Sequence, residues 1–186
     1  DNERNWYRYH HLFAELLRNE LSKSEAADLY KKSALWHEEN DLVHEAVKYA
    51  LVSADADFAA DVIERALDRH STWSGGNVAL LSSWLDALPP QVFQSRPRLG
   101  LNSSRVLYLS GRFELAKQRI NQTEQALKSL PDTPEREQML ALAALYRGSI
   151  ASVRGDFQQA IEQTTFAQSR IPRENHLAHA RAFFSL

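Results

Sequence analysis

Cysteine is absent from this 186-residue chain. Its absence excludes disulfide scaffolds, Cys-ligated zinc and iron–sulfur sites, and a cysteine nucleophile. Glycine and proline are sparse, six of each, too few for a low-complexity chain. No apolar run approaches the roughly 18 residues that span a bilayer, so no membrane partner is expected. Charge of one sign is also missing. The formal net charge is −2, which gives no whole-chain attraction to nucleic acid or anionic lipid. An initiating Met and a signal peptide are lacking too, since Asp1–Trp6 has neither a basic nor an apolar leader region. The last residues, Ala178–Leu186, read as the interior of a helix. The expectation is a segment of a longer cytoplasmic protein.

What is present is 44% hydrophobic, too much for disorder and enough for one large or two small cores. The charges are unevenly spread. Residues 1–70 hold nine Lys/Arg against fifteen Asp/Glu, and residues 71–186 hold thirteen against nine, nearly all of those cations being Arg. An acidic front and an Arg-bearing back suggest two functional surfaces rather than a DNA-binding face.

Helical spacing dominates the apolar pattern. Tyr9, Leu12, Leu16 and Leu17 share one stripe. Ser24 is placed to cap a helix from Glu25 to Glu39 that turns Ala26, Leu29, Tyr30, Ala34 and Trp36 inward. Asp41 is placed to cap a helix with Val43, Ala46, Val47 and Ala50 on one side. Asp55 should cap another with Ala59, Val62, Ile63, Ala66 and Leu67. Ser71–Asn77, containing Gly75-Gly76, is a strong break. A helix over Val78–Leu88 follows, and Gln91–Pro97 reads as a proline-bounded connection. No segment shows sustained period-2 alternation, so the class is all-α.

Beyond Pro97 the chain repeats itself. Gly111-Arg112-Phe113-Glu114-Leu115-Ala116 recurs 44 residues later as Gly155-Asp156-Phe157-Gln158-Gln159-Ala160. The chemistry of such a turn is specific. Glycine ends one helix in a left-handed conformation that a Cβ penalises. The aromatic two residues on should pack into the angle between the helices, and the small Ala lets them approach closely. Asn40–Ala46 and Asp55–Ala59 echo the pattern more weakly. The repeat resembles the tetratricopeptide (TPR) family. The resemblance places small first-helix residues at Ser104 and Gly148, and in the second copy it also matches Ala167 and a helix stop at Pro172. The first copy departs at Ile120 and Thr123, and its period exceeds the family's ~34 residues, with the excess in Leu130–Arg136. It implies antiparallel helix pairs in a TPR-like right-handed superhelix, preceded by a small helical bundle.

The N-terminal run Trp6-Tyr7-Arg8-Tyr9-His10-His11-Leu12-Phe13-Ala14-Glu15-Leu16-Leu17-Arg18 opens an amphipathic helix on two adjacent histidines. On residue chemistry alone, one imidazole faces a core or partner and the other is turned about 100° away. That geometry disfavours a shared metal. The run is similar to the segment that closes the winged-helix part of the nucleotide switch in MalT-like, LuxR-type, ATP-dependent transcriptional regulators. An ordered set of later segments supports the resemblance: Ala34–Asn40, Glu45–Leu51, Val62–Ala66, Trp84–Pro89 and Arg96–Leu99.

That resemblance implies three regions: 1–21 the tail of a winged-helix module, 22–96 a helical bundle, and 97–186 TPR-like repeats. It implies a sensor that takes up a small-molecule inducer or a regulatory protein. An ATPase module and a DNA-binding helix-turn-helix would lie elsewhere in the full-length protein, which would self-associate. The chain has neither a GxxxxGK[ST] loop nor a basic recognition helix, so ATP or ADP and DNA are expected only through those other parts. Tyr9-His10-x-Leu12 matches a pattern in which the histidine contacts ADP phosphate, implying nucleotide sensing for His10. His11 departs from the Asp common in some relatives.

The TPR-like alignment gives a concave wall on the first helix of each pair: Arg98, Leu101, Arg105, Tyr108 and Leu109, then Leu142, Leu145, Ser149 and Ser152. Arg105 beside Tyr108 would seat a sugar, a carboxylate or a peptide side chain; the alternative is a solvated Arg and a packed Tyr. Trp73 and Trp84 read as inter-helix packing. Catalytic motifs fail on inspection. His37-Glu38-Glu39-Asn40-Asp41 has Asp where a zinc protease needs its second His, and Asp55-Ala56-Asp57 lacks the Gly and distal Glu of a calcium loop. Asn102-Ser103-Ser104 and Asn121-Gln122-Thr123 are sequons inside helices. No enzyme and no metal are expected. A free-standing helical-repeat adaptor stays open as the second reading.

Overall fold

The computed structural model describes residues 21–69, 73 and 77–171, and every regular element among them is helical. In chain order these are α1 (Lys23–Glu39), α2 (Val43–Val52), α3 (Ala56–Asp68), α4 (Val78–Asp86), α5 (Val92–Ser95), α6 (Pro97–Leu109), α7 (Phe113–Lys128), α8 (Pro134–Val153) and α9 (Phe157–Gln168). The chain divides into two compact units, Asp1–Val62 and Ile63–Leu186. The division falls inside α3; within the second unit α4 and α5 pack against α6, and α5 also against α7.

In the first unit, α1 begins with a capping box. The Ser22 hydroxyl accepts from the Glu25 N–H, and the Glu25 carboxylate accepts from the Ser22 N–H. The cap is therefore Ser22 and not Ser24: the reciprocal pair needs an acid three residues on, and only Ser22 has one. The Ser22 hydroxyl, and then its N–H, hold the Glu25 carboxyl below its ordinary value. Helices α1 and α2 meet through a narrow seam. Tyr30 stacks on Tyr49 at 6.2 Å and His37 lies 4.9 Å from the same ring. Ala34, Ala46, Val47 and Ala50 are buried. The inward placement of Leu29 and Trp36 is corrected, since they are 46% and 43% exposed. Tyr30, Ala34 and His37 form the seam, and a residue one position off that stripe is turned about 100° away.

The helix ends repeat one device. Backbone φ is positive at Asp41, Ala54, Gly111 and Gly155, and in each case the residue five places on is a buried alanine: Ala46, Ala59, Ala116 and Ala160. At Gly111 the Arg112 N–H donates to Leu107 O (2.9 Å) and the Gly111 N–H to Tyr108 O (3.0 Å). Asp156 and Gly155 do the same to Ala151 and Ser152 at 3.0 Å each. These are Schellman closures. Asp41 makes one too, through Leu42 N–H to His37 O. Asp41 is thus the left-handed residue of a helix end and not a cap; Leu42 stands at the N-cap of α2. Asp55 does cap α3, accepting the Phe58 N–H at 3.0 Å. The Lys31 ammonium donates to the same carboxylate at 2.6 Å, which holds the Asp55 carboxyl below its ordinary value and raises Lys31.

In the second unit, α6–α7 and α8–α9 are helical hairpins. Ser104, Ala116, Gly148 and Ala160 are all buried, as close approach requires. A Cβ built on Gly100 would collide with the Thr123 hydroxyl, and one on Gly148 would lie 2.8 Å from Thr164 Oγ1 and 3.2 Å from Ala160 O. Gly100 near the start of α6 meets Thr123 in the second half of α7, and a three-residue connection joins the helices of each pair, so each pair runs antiparallel. The hydroxyls of Thr123 and Thr164 are buried without a hydrogen-bond partner. Leu101, Leu107, Ala116, Ile120, Ala143, Tyr146 and Ile150 form a core cluster that α6, α7 and α8 share.

Two expectations change here. Gln91–Pro97 is not a bare connection: its middle is the one-turn helix α5, whose Val92 and Phe93 are buried. The aromatic after each glycine turn also behaves differently in the two copies. Phe113 packs on the core cluster and lies 5.9 Å from Tyr108, whereas Phe157 is 64% exposed. Leu130–Arg136 holds the start of α8, with Thr133 accepting the Arg136 N–H and Pro134 at its first turn. Helix α9 stops at Gln168; Pro172 and the Gly75-Gly76 break lie outside the described residues.

Candidate functional site

The expected wall residues sit along α6 and α8 but do not converge. Arg98 pairs with Asp68 at 3.2 Å and is open to solvent. Leu101 is 3% exposed and belongs to the core, so it cannot face a ligand. The Arg105 guanidinium lies over the Trp73 ring, 3.6 Å from its centre, and the Trp73 indole N–H donates to Leu67 O at 2.6 Å. Tyr108 leans the other way, onto Phe113. Arg105 and Tyr108 are therefore each engaged with a different aromatic. Ser149 is buried and its hydroxyl donates to Leu145 O at 3.0 Å. Ser152 is half-buried, and its carbonyl accepts the Gly155 N–H of the turn. Of the remaining wall positions, Leu109 is exposed and Leu145 buried. His10 lies outside the described residues. Trp73 and Trp84 do pack between helices, Trp84 being buried.

Among the described residues of the second unit, two clefts stand out. The first, of about 270 Å³, runs between α4, the α5 turn, α6 and α7, and is lined by Asp86, Gln94, Arg112, Gln118, Arg119 and Gln122 among others. Arg112 is tied down there: its Nη1 donates to Asp86 Oδ2 (2.9 Å) and Oδ1 (3.2 Å) and to Ser82 Oγ (3.2 Å). The Arg119 guanidinium stacks on the buried Phe93 ring, 3.8 Å from its centre. Burial pulls the Arg119 pKa below the ordinary arginine value, and the charge of Asp86 works in the opposite direction; the group still carries its proton.

The second cleft, of about 280 Å³, is lined by Lys117, Arg147, Ile150, Arg154, Asp156 and Gln159 with one further residue. Its arginines are already satisfied. Arg147 donates to Glu124 and Asn121 at 2.8 Å each, and Arg154 pairs with Glu114. Among the described residues no group of three or more His, Cys, Asp or Glu is placed to hold a metal, and no helix is long and apolar enough to cross a membrane.

Arg112 and Arg119 were not singled out by sequence. Arg112 had a faint signal. In the second copy its position is Asp156, whose carboxylate caps α9 by accepting the Gln159 N–H; an arginine there makes no such cap and is released to Asp86. Arg119 had none, since its ring partner comes from a stretch that reads as a connection.

Residues 1–29 match the family model of the MalT winged helix domain, which bears out the resemblance drawn from the Trp6–Arg18 run and carries it past residue 21 into α1. The chain is also similar to the serine/threonine-protein kinase PknK of Mycobacterium tuberculosis (strain CDC 1551 / Oshkosh), 26% identical over 183 residues, and to PknK of Mycobacterium bovis (strain ATCC BAA-935 / AF2122/97) at the same identity. Each alignment covers 92% of this chain and 16% of the relative, so the chain spans about one sixth of the length of the curated relatives it matches. No solved structure matches significantly.

Proposed function

We propose that this chain is the sensor segment of a bacterial LuxR-type, MalT-like transcriptional regulator. It takes up an effector or a regulatory protein and couples that event to an ATPase switch and a DNA-binding domain elsewhere in the full-length protein. The observation that carries this reading is one of order: a stretch matching the MalT winged helix domain comes first, and hairpins closed by left-handed turns follow. Stacked hairpins present side chains from successive first helices to one surface. The small buried residues at Ser104 and Gly148 support a TPR-like right-handed superhelix of that kind. The segment is non-catalytic and carries no cofactor of its own. ATP or ADP would sit in the ATPase module, with His10 as the residue that senses it. DNA would be contacted only through a helix-turn-helix, self-association belongs to the full-length protein, and the setting is the cytoplasm.

The likeness to a protein kinase favours a second reading, in which the same helical segment serves as an adaptor attached to a different output. One experiment separates the two. The full-length gene is sequenced on both sides of this segment and its product assayed on a promoter reporter. A phosphate loop upstream, a helix-turn-helix downstream and effector-dependent transcription support the sensor reading. A kinase catalytic domain or no output domain, with no transcriptional response, overturns it in favour of the adaptor.

A further inference from the structure

We propose that the cleft at Arg119 is a binding site for a small oxyanion, a carboxylate or phosphate group borne by a metabolite, with the Arg119 guanidinium as its receptor. The site begins with a charge taken partly out of water. Arg119 is half-buried, and no carboxylate lies within ion-pair distance of it among the described residues. A cation withdrawn from solvent with no ion-pair partner in contact is costly, even with the charge of Asp86 in the same cleft. The Phe93 ring, its centre 3.8 Å from the guanidinium, offsets part of that cost through a cation–π contact.

The stack also fixes geometry. Phe93 is buried in the one-turn helix α5, so it covers one face of the guanidinium and holds its plane. The in-plane N–H edges are then free to offer the paired donors that a carboxylate or phosphate accepts in two parallel bonds. The surroundings agree. Gln94, Gln118 and Gln122 line the same cleft and add amide donors without charge. The one acid there, Asp86, is already taken by Arg112 and Ser82. A volume of about 270 Å³ lies just below the range of drug-sized pockets, which suits a small metabolite and not a peptide. The depressed pKa of Arg119 fits a cation waiting for its counter-ion. In the second cleft Arg147 and Arg154 are paired, and the remaining cation, Lys117, is exposed to solvent and not withdrawn from it.

The test is an NMR titration of the 186-residue chain with inorganic phosphate and, separately, with succinate, at fixed ionic strength. The expected result is a saturable shift centred on the side-chain amides of Gln94, Gln118 and Gln122 in one titration or both. Arg119→Met keeps the stem against Phe93 and should weaken binding roughly tenfold. Asp86→Asn should tighten it a few-fold, because it removes a repelling charge and releases Arg112. Phosphate-only or succinate-only binding names the group. Shifts that never saturate, or that spread over the exposed Arg98 and Arg170 and persist in Arg119→Met, overturn the site. Should Arg119→Met fail to fold, Asp86→Asn decides: unchanged or weaker binding overturns the proposal. Binding is read on this chain and regulation on a promoter, so the site and the sensor reading fail separately.

Discussion

The two hairpins of the second unit are built on the same plan and end differently. In α6–α7, the turn aromatic Phe113 packs on a cluster that includes Tyr146 and Ile150 of α8. In α8–α9 its counterpart Phe157 is 64% exposed, and Val153 and Ile161 beside it are 57% and 54% exposed. The glycine turns are alike, with φ of 75° and 80°, and both pairs bury small residues where the helices approach. The lesson is that the hairpin is specified locally, while the burial of its aromatic depends on what comes next to it. A left-handed glycine closes a helix end by itself. An apolar side chain at the hairpin's mouth needs a neighbouring helix.

The largest expected contrast follows from that. Phe113→Ala should cost about 2–3 kcal/mol, somewhat below the figure for a fully buried Phe. Phe157→Ala should stay within about 0.5 kcal/mol, as at other surface positions. Urea unfolding of both variants measures this, and equal losses would break the comparison.

The helix crossings sharpen it. A Cβ at Gly100 or Gly148 would run into a threonine hydroxyl, so Gly100→Ala should cost about 1–2 kcal/mol, overpacking outweighing the gain in helix propensity. Only Thr123 stands in the way at Gly100, and adding Thr123→Ala should restore most of the loss. At Gly148 the backbone oxygen of Ala160 also lies 3.2 Å away, and Thr164→Ala should rescue less. Full rescue of both, seen as equal melting temperatures, would show that the crossings are interchangeable.

The smallest effect concerns the turns, where the hairpins should agree. Nothing lies within 4 Å of a Cβ at Gly111 or Gly155, so Ala at either should cost about 1 kcal/mol, from backbone strain alone. Ala54 sits in the same left-handed region with φ of 58°, and Ala54→Gly should shift stability the other way by up to about 1 kcal/mol. An Ala54→Gly variant that melts lower would deny the common origin of these turns.

Much of this fold could be read in advance. The Gly111 and Gly155 repeat gave the turns, and the alanines five residues on gave the crossings, because both depend on nearest neighbours in sequence. Local pattern does not specify a side chain whose environment is set from afar. Helical spacing points Leu29 and Trp36 into the core and Leu101 to a ligand wall, because periodicity names a stripe but not its partner. The candidate site was the least legible part. Arg119 acquires meaning only from Phe93, across 26 positions of chain.

Sequence alone determined that this protein is helical, where its helices stop and which small residues let them pair, because capping, handedness and helix period act over a few residues. Tertiary structure alone decided which arginines are neutralised and which is left stacked on an aromatic in a cleft. Charge pairing and desolvation depend on groups that only folding brings within a few ångströms of one another.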